Sequence, residues 1–229
     1  PAAHSRWLYN NATLILPERG NHDALKPPTV QESNDPDYSA TAFSRYHDAL
    51  AEHLMQVVDQ AEGGVLALFT AYREIVGVSD RVADKLNGRL LKQQRGESVQ
   101  ALRKRFLSMP DGSVWLGTGA AWTGLNLSRD DVNPAADRAL TDLVIARLPV
   151  HINDNPIMAA RMRHLRSQWP VQLDFKVRQG VGRLLRHPEQ SNRKVWFLDP
   201  RLVSDQNPWP KMTSVLHSTL KRYPNQARF

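Results

Sequence analysis

Apolar residues recur along this chain at two different spacings, and their alternation marks out the elements. Thr13-Leu14-Ile15-Leu16, closed by Pro17, reads as a strand. From Glu18 to about Pro36 the chain is polar and rich in Pro and Asn, and a surface excursion is expected there. Phe43, His47, Leu50, Leu54 and Val57 then follow at steps of four and three, the stripe of an amphipathic helix that Gly63-Gly64 stops. The run Val65 to Phe69 is continuously apolar, as in a strand buried on both faces of a parallel sheet.

The alternation continues with a helix over Tyr72 to Leu86 and a short strand near Arg89 to Leu91. A basic amphipathic helix places Val99, Leu102 and Phe106 inward, and the strand Ser113 to Leu116 runs into a glycine-rich turn. Another strand, Leu143 to Arg147, ends at Leu148-Pro149. Asn155-Pro156 starts a helix, with Asn as N-cap and Pro at the first helical position, where its missing N–H costs nothing. Lys194 to Leu198 is the last strand of the pattern, and a final helix is expected near Met212 to Arg222. Regular alternation of strand and helix predicts an α/β fold, a parallel sheet with helices on both faces, formed by residues 1–229 as one domain. Ligands of such sheets bind beyond the carboxyl ends of the strands, so the loops after Phe69, Leu116 and Leu148 carry the interest.

Composition narrows the partners. Lys and Arg number 30 against 23 Asp and Glu, a formal charge of +7 that points to a polyanion, nucleic acid being the common one. No cysteine occurs, which excludes disulfides, thiolate zinc sites and Cys-ligated clusters within this chain and permits a reducing, cytoplasmic setting. No apolar run approaches the ~20 residues needed to cross a bilayer, and no membrane partner is expected. Pro1 to Trp7 carries neither a signal pattern nor a starting Met, so the chain reads as a piece of a longer one.

Three segments could carry chemistry. In Val177 to Arg186, helical spacing puts Gln179, Arg183 and Arg186 within about sixty degrees of one another, opposite Val177, Val181 and Leu184. An amide and two guanidiniums so placed could grip a triphosphate, since guanidinium matches phosphate oxygens in a bidentate way. Gly180 and Gly182 each cost about 1 kcal/mol in a helix interior and suit a backbone held close to something bulky. The same residues also suit a solvated basic face with glycines set for helix packing. Gly117 to Asn126, with its small residues after an apolar strand, lets backbone N–H groups approach a phosphate, or is simply a turn. In Phe69-Thr70-Ala71-Tyr72 a hydroxyl and an aromatic could touch a nucleic-acid backbone and stack on a base; Thr70 capping the next helix is the alternative.

Other chemistries find no support. There is no Gly-x-x-x-x-Gly-Lys-Ser/Thr phosphate loop and no Gly-x-Ser-x-Gly elbow. His47 and His53 do not share a helix face, His164 and His187 lie on basic stretches, and Asp154 favours a helix start by its charge.

These three segments together resemble motifs IV, V and VI of superfamily 2 helicases of the DinG and XPD type. Gly63-Gly64 through Phe69-Thr70-Ala71-Tyr72 looks like motif IV. Gly117-Thr118-Gly119 with Trp122-Thr123-Gly124-Leu125-Asn126 resembles motif V, and Gln179-Gly180-Val181-Gly182-Arg183-Leu184-Leu185-Arg186 resembles motif VI. Asn155-Pro156-Ile157 with Ala159-Ala160-Arg161 also fits the pattern, and the likeness runs from about Thr13 to Arg201.

The resemblance implies the second RecA-like domain of a DNA-stimulated ATPase, with ATP and Mg held mainly by a first RecA-like domain that supplies the phosphate loop. Arg186 is the expected arginine finger, Arg183 its companion, and Gln179 the residue that positions phosphate or water. Gly124, Asn126 and Gly182 are expected near ATP, and Thr70, Tyr72, Thr118 and Trp122 along a single-stranded DNA track. Translocation typically runs 5′ to 3′ in this family. Two positions depart from the usual Trp-Glu-Gly-x-Asp of motif V: Thr123 stands for the Glu and Asn126 for the Asp. That suggests a divergent branch, resembling the DinG-like helicase of type IV CRISPR systems, which would add a CRISPR ribonucleoprotein as partner and a bacterial cytoplasmic setting. Loss of both acids leaves a second reading open, a non-catalytic nucleic-acid-binding module of RecA-like fold.

Overall fold

The computed structural model describes residues 9–18, 23–28, 36–122, 125–150, 168–203 and 212–229. Its centre is a parallel sheet of seven strands: β1 (Ala12–Leu16), β2 (Val65–Leu68), β3 (Leu90–Lys92), β4 (Val114–Gly117), β5 (Asp142–Ile145), β6 (Arg193–Phe197) and β7 (Asn225–Arg228). They lie in the order β3-β4-β2-β5-β6-β1-β7. Strand side chains alternate between two cores, as the two-residue period of a strand requires. Leu66, Leu68, Trp115, Leu143, Ile145, Val195 and Phe197 point to one face, while Val65, Ala67, Val114, Leu116, Val144 and Trp196 point to the other. Both faces are covered, which is why these strands read as unbroken apolar runs.

Helices α1 (Pro36–Gln60) and α2 (Tyr72–Leu86) cover the second face through Tyr46, Leu50, Leu54 and Ile75, Val78, Val82. The first face takes α3 (Val99–Ser108) through Leu102 and Phe106, and α4 (Gln168–Val181) through Leu173, Val177 and Val181. Two short pieces, α5 (Met212–Val215) and α6 (His217–Leu220), seat Met212, Leu216 and Leu220 on the same side.

The double glycine does more than end α1. Gly64 donates its N–H to the Arg138 carbonyl at 2.8 Å and accepts from Thr141 N–H at 2.9 Å. A Cβ on Gly64 would stand 2.0 Å from the Ala139 carbonyl oxygen. The backbone leading into β2 thus lies directly on the segment leading into β5, an approach only glycine permits.

Several expectations need correction. The single helix near Met212 to Arg222 is two short pieces followed by β7, an exposed polar strand at the sheet edge. The stretch after Glu18 is not all surface, because a 3-10 turn over Asp23–Leu25 buries Leu25. The helix expected at Asn155, with Asp154, Ile157, Ala159, Ala160, Arg161 and His164, lies outside the described residues.

The chain leaves β2 for β3, returns to β4, then crosses β2 to reach β5. That reversal is the switch point of the sheet, and it opens a crevice at the carboxyl ends of β4, β2 and β5. Among the described residues, no helix is long and apolar enough to cross a membrane.

Candidate functional site

At the end of β2 the chain turns through Thr70 and Ala71 into α2. Glu74, on the first turn of α2 and fully buried, reaches back to that turn. Its Oε2 accepts from the backbone N–H of Thr70 and of Ala71, both at 3.1 Å, and from the Thr70 hydroxyl at 3.2 Å. Its Oε1 takes a charge-assisted bond from Arg147 Nη1 at 2.6 Å, so the end of β5 is tied to the same carboxylate. The N-cap of α2 is Ala71, so Thr70 does not cap the helix as the alternative reading had it. Thr70 stands exposed at the crevice, yet its hydroxyl hydrogen is committed to Glu74. Tyr72 is half-buried at the first position of α2, with the Arg95 guanidinium 5.5 Å from its ring centre.

Gln93, just past β3, joins this turn to the next. Its Oε1 accepts the Thr118 N–H at 2.8 Å and its Nε2 donates to the Tyr72 hydroxyl at 3.4 Å. Only 4% of Gln93 is exposed, so one buried amide spaces the loop after β2 from the loop after β4. Nothing in a lone glutamine after a strand signals this.

After β4 the chain passes through a 3-10 turn over Gly119–Trp122. Trp122 is 5% exposed and its indole N–H donates to the Phe69 carbonyl at 2.9 Å. Its ring faces Gly180, where a Cβ would approach Trp122 Cε3 and Cζ3 to 3.3 Å. The bulky neighbour expected beside the glycines of α4 is therefore this indole. Thr118 is likewise buried at 5%. Thr118 and Trp122, both expected along an open track, instead hold the two loops together from beneath. Thr123 and Gly124 lie outside the described residues. Asn126 is exposed, its Oδ1 accepting from Ser128 N–H at 3.1 Å and its carbonyl accepting from Arg103 Nε.

The helical arrangement expected for Gln179, Arg183 and Arg186 ends early. Helix α4 stops at Val181, and residues 182–184 form a tight turn closed by Arg183 N–H to the Gly180 carbonyl and Leu184 N–H to the Val181 carbonyl, each 3.1 Å. The tighter turn swings Arg183 inward. It is 8% exposed, and it donates to the Leu125 carbonyl at 2.8 Å and the Trp122 carbonyl at 3.3 Å, while its buried Nε has no partner among the described residues. Arg186 remains exposed but donates to the same Leu125 carbonyl at 2.8 Å. Burial lowers the affinity of both guanidiniums for their protons, and for Arg183 the neighbouring Arg186 charge adds to it. Gln179 is half-buried on the last turn of α4, and Gly182 is exposed beside it. Val177, Val181 and Leu184 are buried, on the anchoring side the spacing gave them.

A second ionic group, buried between the ends of β5 and β6, was not visible in the sequence. Asp199, after β6, accepts from the Leu148 N–H at 2.8 Å and pairs with Arg201 through both oxygens. Burial alone would weaken the charge on Arg201, but Asp199 outweighs it and raises its proton affinity. Between this pair and Glu74–Arg147 lies the Tyr46 phenol, which burial pushes to a far higher pKa than usual.

Comparison with known proteins bears on the family and the fold. The model of the helicase C-terminal domain matches residues 54–219. The ATP-dependent DNA helicase YoaA of Haemophilus influenzae is 26% identical over 254 residues, covering 99% of this chain and 36% of that protein. A solved XPD helicase superposes with a TM-score of 0.63 at 19% identity, over 96% of this chain and 36% of that one. An apo XPD structure gives 0.62 at 17%, over 96% of this chain and 40% of its own. The chain thus spans little more than a third of the relatives it matches, and the fold they share is the RecA-like α/β fold. With a parallel sheet of that kind, the turn after α4 fastened to the loop after β4, and most of its length matched, the chain belongs to the helicase C-terminal domain family.

Proposed function

We propose that this chain is the second motor domain of an ATP-dependent DNA helicase, and that Arg186 is its arginine finger. The observation that carries the reading is the pair of bonds from Arg183 and Arg186 to the Leu125 carbonyl. They make the turn after α4 and the loop after β4 one unit at the crevice. Arg183, buried and bonded twice, positions that unit. Arg186, exposed and bonded once, is free to exchange a carbonyl for a phosphate oxygen, a stronger partner because it is charged.

Gln179 stands four residues before Arg183, on the last turn of α4, where it helps to position the phosphates or the attacking water. Asn126 and Gly182 are assigned to the near wall for ATP, as is Gly124 from the sequence resemblance alone. The guanidiniums and amide fit the phosphate end of a nucleotide. The two guanidiniums are cationic and have no acceptor lone pair to offer, so they suit phosphate oxygens and not a Mg ion. Mg and the phosphate loop are assigned to the preceding RecA-like domain, and the isolated chain is expected to hydrolyse no ATP. Single-stranded DNA crosses the loops after β2 and β4, with Thr70 and Tyr72 at the surface and Thr118 and Trp122 beneath.

Hydrolysis by the full-length protein, with and without single-stranded DNA, tests this for wild type and Arg186→Ala. A finger is worth on the order of a thousandfold or more in rate, so the variant should lose stimulated turnover while keeping DNA binding. Stimulated turnover that survives Arg186→Ala would refute the finger.

Asn126 favours the alternative of a non-catalytic binding module, because its side chain caps its own loop and offers no carboxylate to the crevice. Wild-type protein that binds DNA but shows no stimulated ATPase would establish that alternative. Polarity 5′ to 3′, work in the bacterial cytoplasm and a type IV CRISPR ribonucleoprotein as partner rest on the sequence resemblance. Unwinding of substrates with one overhang and co-purification with such a complex test the first and last.

A further inference from the structure

The hydrogen-bond directions around Tyr72 define what this residue can offer a nucleic acid. Gln93 Oε1 accepts from the Thr118 backbone N–H, which can only donate. That bond fixes the amide, so its Nε2 faces Tyr72 and must be the donor in the contact at 3.4 Å. The tyrosine oxygen is therefore an acceptor there, and its own hydrogen points elsewhere. The Arg95 guanidinium lies over the ring at 5.5 Å, taking up one aromatic face with a cation.

The neighbouring groups cannot do the same work. Thr70 spends its hydroxyl hydrogen, and Thr70 and Ala71 their backbone N–H groups, on Glu74. A phosphate oxygen only accepts hydrogen bonds. At this corner it would find its uncommitted hydroxyl donor on Tyr72 and a positive charge directly above, on Arg95. The Glu74 carboxylate is itself neutralised by Arg147 and does not repel it across the turn.

We propose that Tyr72 and Arg95 form a seat for one phosphate of a single-stranded DNA backbone, with Gln93 the positioning residue that aims the tyrosine hydroxyl. Tyr72 then grips the backbone through its hydroxyl and is not a platform for a base. The proposal rests on the reading of these loops as the DNA track and specifies how one part of it works.

Binding of an oligo-dT strand to the full-length protein, measured over a range of salt concentrations, tests it. Tyr72→Phe keeps the ring and loses the donor, so it should weaken binding by on the order of tenfold, a hydrogen bond to a charged group. The salt slope should not change, because no charge is lost. Tyr72→Ala should lose at least as much as Tyr72→Phe, because it also removes the ring over which Arg95 is held. Arg95→Gln should reduce the slope of log K against log salt by about 0.7, one phosphate contact on a single strand. Gln93→Leu should weaken binding, and combining it with Tyr72→Phe should add nothing further.

If Tyr72→Phe binds as wild type while Tyr72→Ala is weakened, the ring stacks on a base. The phosphate seat is then wrong, although the track is in the right place. If Arg95→Gln leaves the slope unchanged, Arg95 neutralises no phosphate and the seat is again overturned. If wild type binds DNA and none of these variants differs from it, the seat and the placing of the track here both fail.

Discussion

Replacing Arg183 by Met removes the buried guanidinium but keeps most of the apolar stem. Two bonds are lost, one of 2.8 Å to the Leu125 carbonyl and one of 3.3 Å to the Trp122 carbonyl. Bonds from a charged donor are worth roughly 1.5–3 kcal/mol each, and the longer one belongs at the low end, so about 4 kcal/mol is at stake. Some is returned. Among the described residues the buried Arg183 Nε has no partner, and Arg186 stands close enough to repel the guanidinium. Relief of such a group is worth about 1–3 kcal/mol, which leaves a net destabilisation of about 2 kcal/mol. In a domain of this size that lowers the melting temperature by about 4–8 °C. Arg186→Ala should stay within about 0.5 kcal/mol of wild type, because the side chain is exposed and Leu125 keeps Arg183 as donor. Thermal unfolding of the 229-residue chain, followed by circular dichroism, separates the two. An Arg186→Ala chain that loses as much stability as Arg183→Met would refute the division of a fixed arginine from a free one.

Three further outcomes are expected. Glu74→Gln leaves Arg147 without its carboxylate partner at a site where the glutamate is fully buried, and should cost about 3 kcal/mol in urea unfolding. Gly64→Ala forces a Cβ to within 2.0 Å of the Ala139 carbonyl oxygen and should cost about 3 kcal/mol or more, read as loss of the folded chain on gel filtration. His47 is held below the ordinary histidine pKa, first by burial and then by the Arg81 charge. A base whose folded pKa is depressed stabilises fully above its unfolded value and loses that contribution as pH falls through the folded value. The urea midpoint should therefore fall on acidification from about pH 7 to about pH 5, and less steeply in His47→Gln.

Much of the fold was legible because the sheet is covered on both faces. Val65 to Phe69 had to be an unbroken apolar run, and α2 spans Tyr72 to Leu86 as expected, while the strand expected over Leu143 to Arg147 already ends at Ile145. β7 was not legible, since an exposed edge strand of Asn, Gln, Ala and Arg has neither an apolar run nor alternation. At the site, residue identity carried the motifs but not the directions of their side chains. Gly180-Val181-Gly182 is compatible with helix, and only the carbonyls of Trp122 and Leu125, distant in sequence, show why the chain tightens and turns Arg183 inward. Trp122 beside small residues suggests a surface ring until Gly180 is seen to make room for it. Gln93 and Glu74 work through backbone groups, which a reading of side-chain types passes over.

The acceptor shared by Arg183 and Arg186 is a main-chain oxygen, and that bears on how such a loop can change over generations. Every residue at position 125 presents the same carbonyl, so no codon change there can delete it. The side chains around it, Asn126 among them, can drift without unfastening the arginines. Heritable loosening of this joint must come through the two arginine codons or through changes that move the backbone. A loop fastened in this way can lose its acids and keep its place.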